Sequence, residues 1–456
     1  MTVQIFAATG PHGTATLAAA IDSGFFAPGS AGSGTGGLER PPRRVLLLCD
    51  TSAVPEASPS PDALPGYGRL RARFDEVLSW NDAVLPLHPG VWTPRPDDVP
   101  LWERHLRRLW DLGDEPVELV LESPHASPAL ALAQIFTDAP VTVYADGPAG
   151  YGPTGGKVGP LIGTRVRRLL HPGLLPGLKP LLLAEFGVPV VTLPPGALRK
   201  VYGEMADAAP VPDALGGAAV LLLPEPGVLS AAEESELALR MVRGTVALGH
   251  TRLVVQPHPG TPAPGLDALR AEASRLGAEL AVPAAELPGV PAEVLFERLR
   301  PALVAGCSSP ALLTASVTYG LPVAVTGTGT LLERLAPYEN PARIPATIAD
   351  ALLPGLDDPE AVKGQSPPTE AEVAEALAGL LDAVAFAMRP RVRPDLRPAA
   401  ELYLSTRLNA GTWRYFKRRR LASLALPGVV PNRLAFVRRN ATLRRMARRA
   451  RALARR

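Results

Sequence analysis

Leu303-Val304-Ala305-Gly306-Cys307-Ser308-Ser309-Pro310 is the stretch whose reading decides the fold. An apolar run ends at a glycine and two serines follow. A proline then opens an apolar-periodic segment from Ala311 to Tyr319, which Gly320 closes. A strand passing through a tight turn into a helix reads this way. Ser309 suits the N-cap, and Pro310 suits the first helical position, where its missing N–H costs nothing. A glycine just past the last turn suits the stop. The start of such a helix offers unpaired N–H groups, a positive dipole end and two hydroxyls, which together suit a phosphate. An ordinary capped helix has the same pattern, so the assignment depends on what lies upstream.

Working outward, the same strand–loop–helix unit recurs. Val3 to Ala8 reads as a strand, with the loop Gly10-Pro11-His12-Gly13 and a helix from Thr14 to Ser23 after it. The loop lacks the GxGxxG spacing, so no dinucleotide is assigned. Pro28 to Pro42 is rich in Gly and Ser and reads as a loop. Val45 to Cys49, Val117 to Leu121 and Val141 to Tyr144 are apolar runs that fit strands buried on both faces. Helices are predicted over Tyr67 to Leu78, over Pro100 to Leu112 with Trp102, Leu106, Leu109 and Trp110 inward, and over Ser127 to Phe136. Leu174 to Thr192 adds one helix and one strand. The pattern restarts near 211 to 217, with strands at Ala218 to Leu223, Thr251 to Gln256, Glu279 to Val282 and Pro322 to Thr326 and helices between them. Thr369 to Met388 is helical. Ala399 to Leu408 is a further helix, expected to cross back to the first unit.

The fold class is therefore α/β, with two Rossmann-like domains facing a central cleft. Domain limits fall at 1–205 for the first Rossmann-like domain and 206–388 for the second, with 389–456 as a crossing helix and basic tail. The 456 residues suffice for such cores. The two cysteines, Cys49 and Cys307, build neither a disulfide framework nor a metal cluster, which points to a reducing compartment. No secretory signal or membrane-spanning apolar run is visible. The net charge of +3 hides an asymmetry: from Leu402 to Arg456 there are 16 basic and no acidic residues, which leaves the body 31 basic against 44 acidic. An acidic body with a basic tail points to an anionic partner surface.

Four positions carry candidate chemistry. His258, between Pro257 and Pro259 at a strand end, could contact a phosphate or protonate it as it leaves, or simply pack in its loop. Asp146 follows the strand Val141 to Tyr144, with Gly147 leaving room for a substrate. It suits a general base, though Asp-Gly is also a common turn dipeptide. Glu293 opens a helix on the donor side and could take both hydroxyls of a ribose, or merely complement the helix dipole. Ser308 and Ser309 complete the set. His12, His88, His125 and Glu122 lie in loops near strand ends and could line an acceptor site, without any specific spacing. The seven histidines include no HExxH.

The order Asp146-Gly147, His258-Pro259, Ser308-Ser309 resembles the bacterial polysialyltransferase family and related bacterial sialyltransferases of the GT-B architecture. Val143-Tyr144-Ala145-Asp146-Gly147, with Tyr151-Gly152-Pro153-Thr154 after it, carries the nearest likeness, and the order and spacing hold over about residues 1 to 385. The resemblance implies inverting, metal-free transfer of a sialic acid or related nonulosonic acid from a CMP-sugar donor to a glycan acceptor in cell-surface polysaccharide synthesis. Asp146 would be the base, His258 and the Ser308-Ser309 pair would hold the CMP phosphate, and Glu293 the ribose. No cofactor beyond the CMP-activated donor is implied. Two departures stand out: Ala145 replaces the first acidic residue of the motif, and Gln256 stands where a lysine often precedes His-Pro. A UDP- or GDP-sugar transferase and a catalytically inactive GT-B scaffold are the alternatives.

From Thr412 the chain reads as basic amphipathic segments broken at Pro427 and Pro431. The expectation is a cytoplasmic protein held at the inner membrane surface by this tail. Capture of an anionic polymer ranks second. Nucleic-acid stacking on Trp413, Tyr415 and Phe416 ranks last, since no DNA or RNA motif is present.

Overall fold

The structure, a computed structural model, describes residues 2–27, 41–57, 63–257, 263–283 and 289–428. Predicted features at 28–40, the loop holding His258, and the tail from 429 onward lie outside these residues.

Seven parallel strands form the first sheet: β1 (Val3–Ala8), β2 (Arg43–Leu48), β3 (Glu76–Ser79), β4 (Val117–Leu121), β5 (Val141–Tyr144), β6 (Val166–His171) and β7 (Val190–Thr192), in the spatial order β3-β2-β1-β4-β5-β6-β7. Five more form the second: β8 (Ala219–Leu222), β9 (Arg252–Gln256), β10 (Glu279–Ala281), β11 (Val304–Gly306) and β12 (Val323–Val325), in the order β10-β9-β8-β11-β12. Continuous apolar strands such as Val3–Ala8, buried at every residue, are what a sheet covered by helices on both faces requires. In each sheet the order reverses once, between β1 and β4 and between β8 and β11. Successive crossovers leave opposite faces there and a crevice opens beyond the strand ends. This is the GT-B architecture.

The helices that matter here are α1 (Pro11–Asp22), α2 (Val99–Leu109), α3 (Pro195–Ala206), α4 (Ala231–Ala247), α5 (Ala292–Leu299), α6 (Pro310–Leu313), α7 (Arg343–Leu352), α8 (Glu370–Met388) and α9 (Arg397–Thr406). Helices α4 and α8 begin with reciprocal capping boxes, Ser230 with Glu233 and Thr369 with Glu372. The chain leaves the first sheet through α3, which packs on both α1 and α5.

Several expectations are corrected. The helix predicted over Tyr67 to Leu78 stops at Arg71, and Glu76–Ser79 becomes the edge strand β3. Arg43 and Arg44 draw it there through Glu76 and the Asp75 carboxylate. Leu174 to Thr192 holds a short 3₁₀ turn and no α-helix, while Val166–His171 forms an unforeseen strand. Its Val-Arg-Arg-Leu-Leu-His reading hides a strand because Arg168 lays its guanidinium over Phe26, 5.1 Å from the ring centre. Leu109, predicted inward, is exposed. The helix after Pro310 begins as α6 and continues as a π-helical turn, Thr314–Thr318, before Gly320 in the left-handed region. Helix α8 meets the first lobe: a Cβ on Gly177 would touch Glu370, and Met388 and Arg389 line one cavity with Glu122, while α9 packs along α8.

The basic stretch also starts as packed structure. Tyr415 and Phe416 are buried, Tyr338 donates to the Tyr415 carbonyl at 2.9 Å, and Arg420 donates to the carbonyls of Ala387 and Met388 and pairs with Glu339. These two aromatic rings are therefore not free for base stacking.

Helix α7 is seated by Arg343. Its wholly buried side chain donates to the carbonyls of Tyr338, Leu332 and Leu335 and lies 4.2 Å from the centre of the Tyr338 ring. The next residue, Ile344, packs against Gly152 of the first lobe. Arg343→Met should leave buried carbonyls unpaired and cost about 3 kcal/mol, read as a lower thermal unfolding midpoint.

Candidate active site

The C-terminal ends of β1, β4 and β5 are neighbours, so the residues that follow them converge. After β1, Thr9 donates its hydroxyl to Glu122 Oε2 at 2.7 Å, and Glu122 is the first residue beyond β4. Helix α1 begins two residues after Thr9 with His12 in its first turn. Gly13 is needed there because a Cβ would lie 2.8 Å from the Tyr144 hydroxyl, which passes beneath to donate to the Ala7 carbonyl. Beyond β5 the motif residues part company. Ala145 points into the first-lobe core, where a Cβ on Gly150 would meet its methyl at 2.8 Å, whereas Asp146 reaches solvent in the cleft. An acid at 145 would be aimed into an apolar core. Asp146 is the carboxylate of this turn that faces the cleft.

The second lobe meets this group directly. A Cβ on Gly147 would lie 3.7 Å from the Pro310 side chain, so the Asp146-Gly147 turn and the Ser309-Pro310 turn face each other. Ser309 occupies the N-cap position and Pro310 the first helical position, and the Ser309 hydroxyl makes no capping hydrogen bond. Ser308 and Ser309 both keep partial exposure. Glu293, in the first turn of α5, is buried, and its Oε2 lies 3.2 Å from His12 Nε2, the two residues coming from opposite lobes. Tyr202 of α3 sets its ring edge-on to His12 at 6.4 Å. Gln256 donates from Nε2 to the Val290 carbonyl at 2.7 Å, tying the end of β9 to the approach of α5.

Of the four loop residues noted in the sequence, three come together. Glu122, His125 and Asp146 share a cavity of about 280 Å³ with Gly152, Met388 and Arg389. His12 stands beside it through its interactions with Asp146 and Glu293. His88 does not join: its Nε2 contacts the Ser52 carbonyl and its Nδ1 accepts from the Gly90 N–H. His258 lies outside the described residues. Arg389, Tyr202 and Thr9 were not singled out from the sequence, since none belongs to a motif. Among the described residues no cluster of three His, Cys, Asp or Glu is placed to hold a metal ion.

Electrostatics sets the protonation of this group. Burial and then the Asp146 charge push the Glu122 carboxyl up to about 7, against the hydrogen bond from Thr9. The protein packed around the Asp146 carboxyl desolvates it and raises it although one side still meets solvent, opposed by the His12 charge and a backbone N–H and assisted by Glu293. The Asp146 charge is one cause of the rise in Glu122, so the ionisations of the two carboxyls are linked. Burial lowers His12, but the charge of Glu293, its hydrogen bond and the charge of Asp146 outweigh that and raise it. Burial and Arg389 lower His125.

No known protein family matches the sequence, and no curated protein does. Solved structures match the chain at low similarity. S. aureus MnaA in complex with UDP is 12% identical with a TM-score of 0.43, over 87% of this chain and 96% of that one. UGT73P12 of Glycyrrhiza uralensis, complexed with glycyrrhetinic acid 3-O-monoglucuronide, is 10% identical with a TM-score of 0.40, over the whole of both chains. A putative UDP-N-acetylglucosamine 2-epimerase from Listeria monocytogenes is 12% identical with a TM-score of 0.42, over 85% and 96%.

A pH-dependent tie between the lobes follows from the His12–Glu293 pair. A raised histidine pKa stabilises the fold fully below the unfolded value of about 6.5 and ceases to do so as pH rises through the folded value. The thermal midpoint of the wild type should exceed that of His12→Gln at pH 5.5 by more than at pH 8.5. Equal differences at both pH values would remove the ionic tie.

Proposed function

We propose that the protein is an inverting glycosyltransferase that moves a sialic acid or related nonulosonic acid from a CMP-sugar to a hydroxyl of a glycan acceptor, in cell-surface polysaccharide synthesis. The observation that supports this reading is the meeting of Asp146-Gly147 with Ser309-Pro310 across the cleft. An acceptor hydroxyl beside Asp146 gives its proton to that carboxylate, which becomes neutral and so relieves the like-charge repulsion on Glu122. The acceptor oxygen attacks the anomeric carbon on the face opposite the nucleotide, and the bond from that carbon to the phosphate oxygen breaks with its electron pair going to CMP. The hydroxyls of Ser308 and Ser309, with His258, meet the negative charge that grows on the departing phosphate. Glu293 takes the ribose, for which His12 must yield part of its hold on Oε2. These steps call on side chains alone.

Ser308 and Ser309 address a phosphate, which every nucleotide sugar carries, so a UDP- or GDP-sugar donor is the second reading. Calorimetry with CMP, UDP and GDP separates the two. CMP should bind, and Ser309→Ala and His258→Ala should each weaken it by ~1–3 kcal/mol. UDP or GDP binding in its place favours the second reading, and unchanged CMP affinity in both variants removes the donor-site assignment. Asp146→Asn should abolish transfer while leaving CMP affinity intact. Wild-type protein that binds CMP yet turns over no acceptor would mark a binding scaffold.

The transfer rate should rise with pH through a limb near 7, set by the linked ionisation of Glu122 and Asp146. Glu122→Gln removes a neighbouring negative charge, so this limb should move to lower pH. A limb that stays in place would exclude coupling of the two carboxyls in turnover.

A further inference from the structure

We propose that the outer face of α2, together with the loop after β3, docks the first lobe on an anionic lipid bilayer. Leu101, Arg104, His105, Arg108 and Leu109 are all exposed, and their spacing of three and four residues places them on one face of the helix. Leu101 is 65% exposed. This face carries no acid. The one acid on the helix, Glu103, pairs with Arg107 at 3.0 Å. Arg104 and Arg108 make no ion pair among the described residues. Asp97 and Asp98 precede the helix, where Asp98 is taken by Arg95 at 2.8 Å, and Asp111 and Asp114 follow it.

The loop after β3 extends the patch. Leu85 is 70% and Val91 78% exposed, and Leu87 is exposed beside them. Trp92 of this loop packs on Trp102 of the helix with ring centres 4.5 Å apart, which ties the loop to the helix. A folded chain loses free energy by leaving such leucines and valines in water. Aliphatic tips around half-buried tryptophans, with unpaired guanidiniums between them, match the headgroup zone of a bilayer: the tips enter the acyl boundary and the cations meet lipid phosphates. Among the described residues no helix is long and apolar enough to cross a membrane, so the contact is peripheral.

The position gives the contact a purpose. A short helix, Trp80–Val84, joins β3 to this loop, whose contacts with the residues beyond β2 place it at the edge of the sheet where the cleft residues follow β1, β4 and β5. His88 and Gly90 also tie it to Ser52 and Thr51 beyond β2. A bilayer under this patch would hold a lipid-borne acceptor near Asp146. That purpose rests on the proposed transfer, but the docking itself does not, and it is read without substrate.

The test is co-sedimentation of the full chain with vesicles of phosphatidylglycerol and phosphatidylcholine, against vesicles of phosphatidylcholine alone. The wild type should partition to the anionic vesicles. Arg104→Glu with Arg108→Glu should lower the partition roughly tenfold or more, and Val91→Glu with Leu101→Glu should lower it independently. Thermal midpoints within experimental scatter of the wild type confirm that both variants are folded. Wild-type partition in both variants, with binding carried elsewhere such as the basic tail, overturns the proposal. So does a wild-type dimer that both variants dissolve in the absence of lipid, which would assign the face to a second copy of the chain.

Discussion

Two parallel sheets set end to end impose the constraint from which the rest follows. A parallel strand delivers its chain to one edge only, so every loop that follows a strand gathers on that edge. When two such edges are brought together, short turns from distant parts of the sequence must fit within a few ångströms. Gly147 and Pro310 make that fit. A Cβ at 147 would lie 3.7 Å from the Pro310 side chain, in ordinary contact, so the turn that carries Asp146 already sits at packing distance from the serine turn. The buried arginine of α7 supports the same approach from behind, by seating Ile344 against Gly152.

Crowding carboxylates into this seam has an electrostatic cost, and the structure meets it in two ways. Glu293 is buried but faces an imidazole from the other lobe. Burial raises Glu122 and Asp146, the Asp146 charge adds to the rise in Glu122, and His12 opposes the rise in Asp146. One carboxyl is thus held charged by an ion pair, and the protonation of the other two is linked. A donor nucleotide and an acceptor hydroxyl would each disturb a different one of these arrangements.

Much of the fold was legible in the residues. Strands β1 and β5 run where the apolar runs place them, and the helices Ala231–Ala247 and Glu370–Met388 start at capping boxes written in the sequence. The two strands that escaped, β3 and β6, carry or pair with arginines whose charge masks the alternation, because a long side chain can cover an apolar neighbour while its head reaches a carbonyl or carboxylate. The site was legible as separate short motifs and not as an arrangement. Nothing in either segment announces that His12 meets Glu293, which stands 281 residues away. Nor does any local pattern reveal that Ala145 faces the core while Asp146 faces the cleft; that depends on where Gly150 packs.

The lobes are joined through Pro195–Ala206 and meet again where Glu370 lies against Gly177. Held at these two places, they keep one easy relative movement, a swing about the line joining them. Along such an arc the turns at 146 and 309 separate and return to the same register each time. Whatever enters the gap then meets its two sets of partners in one fixed orientation.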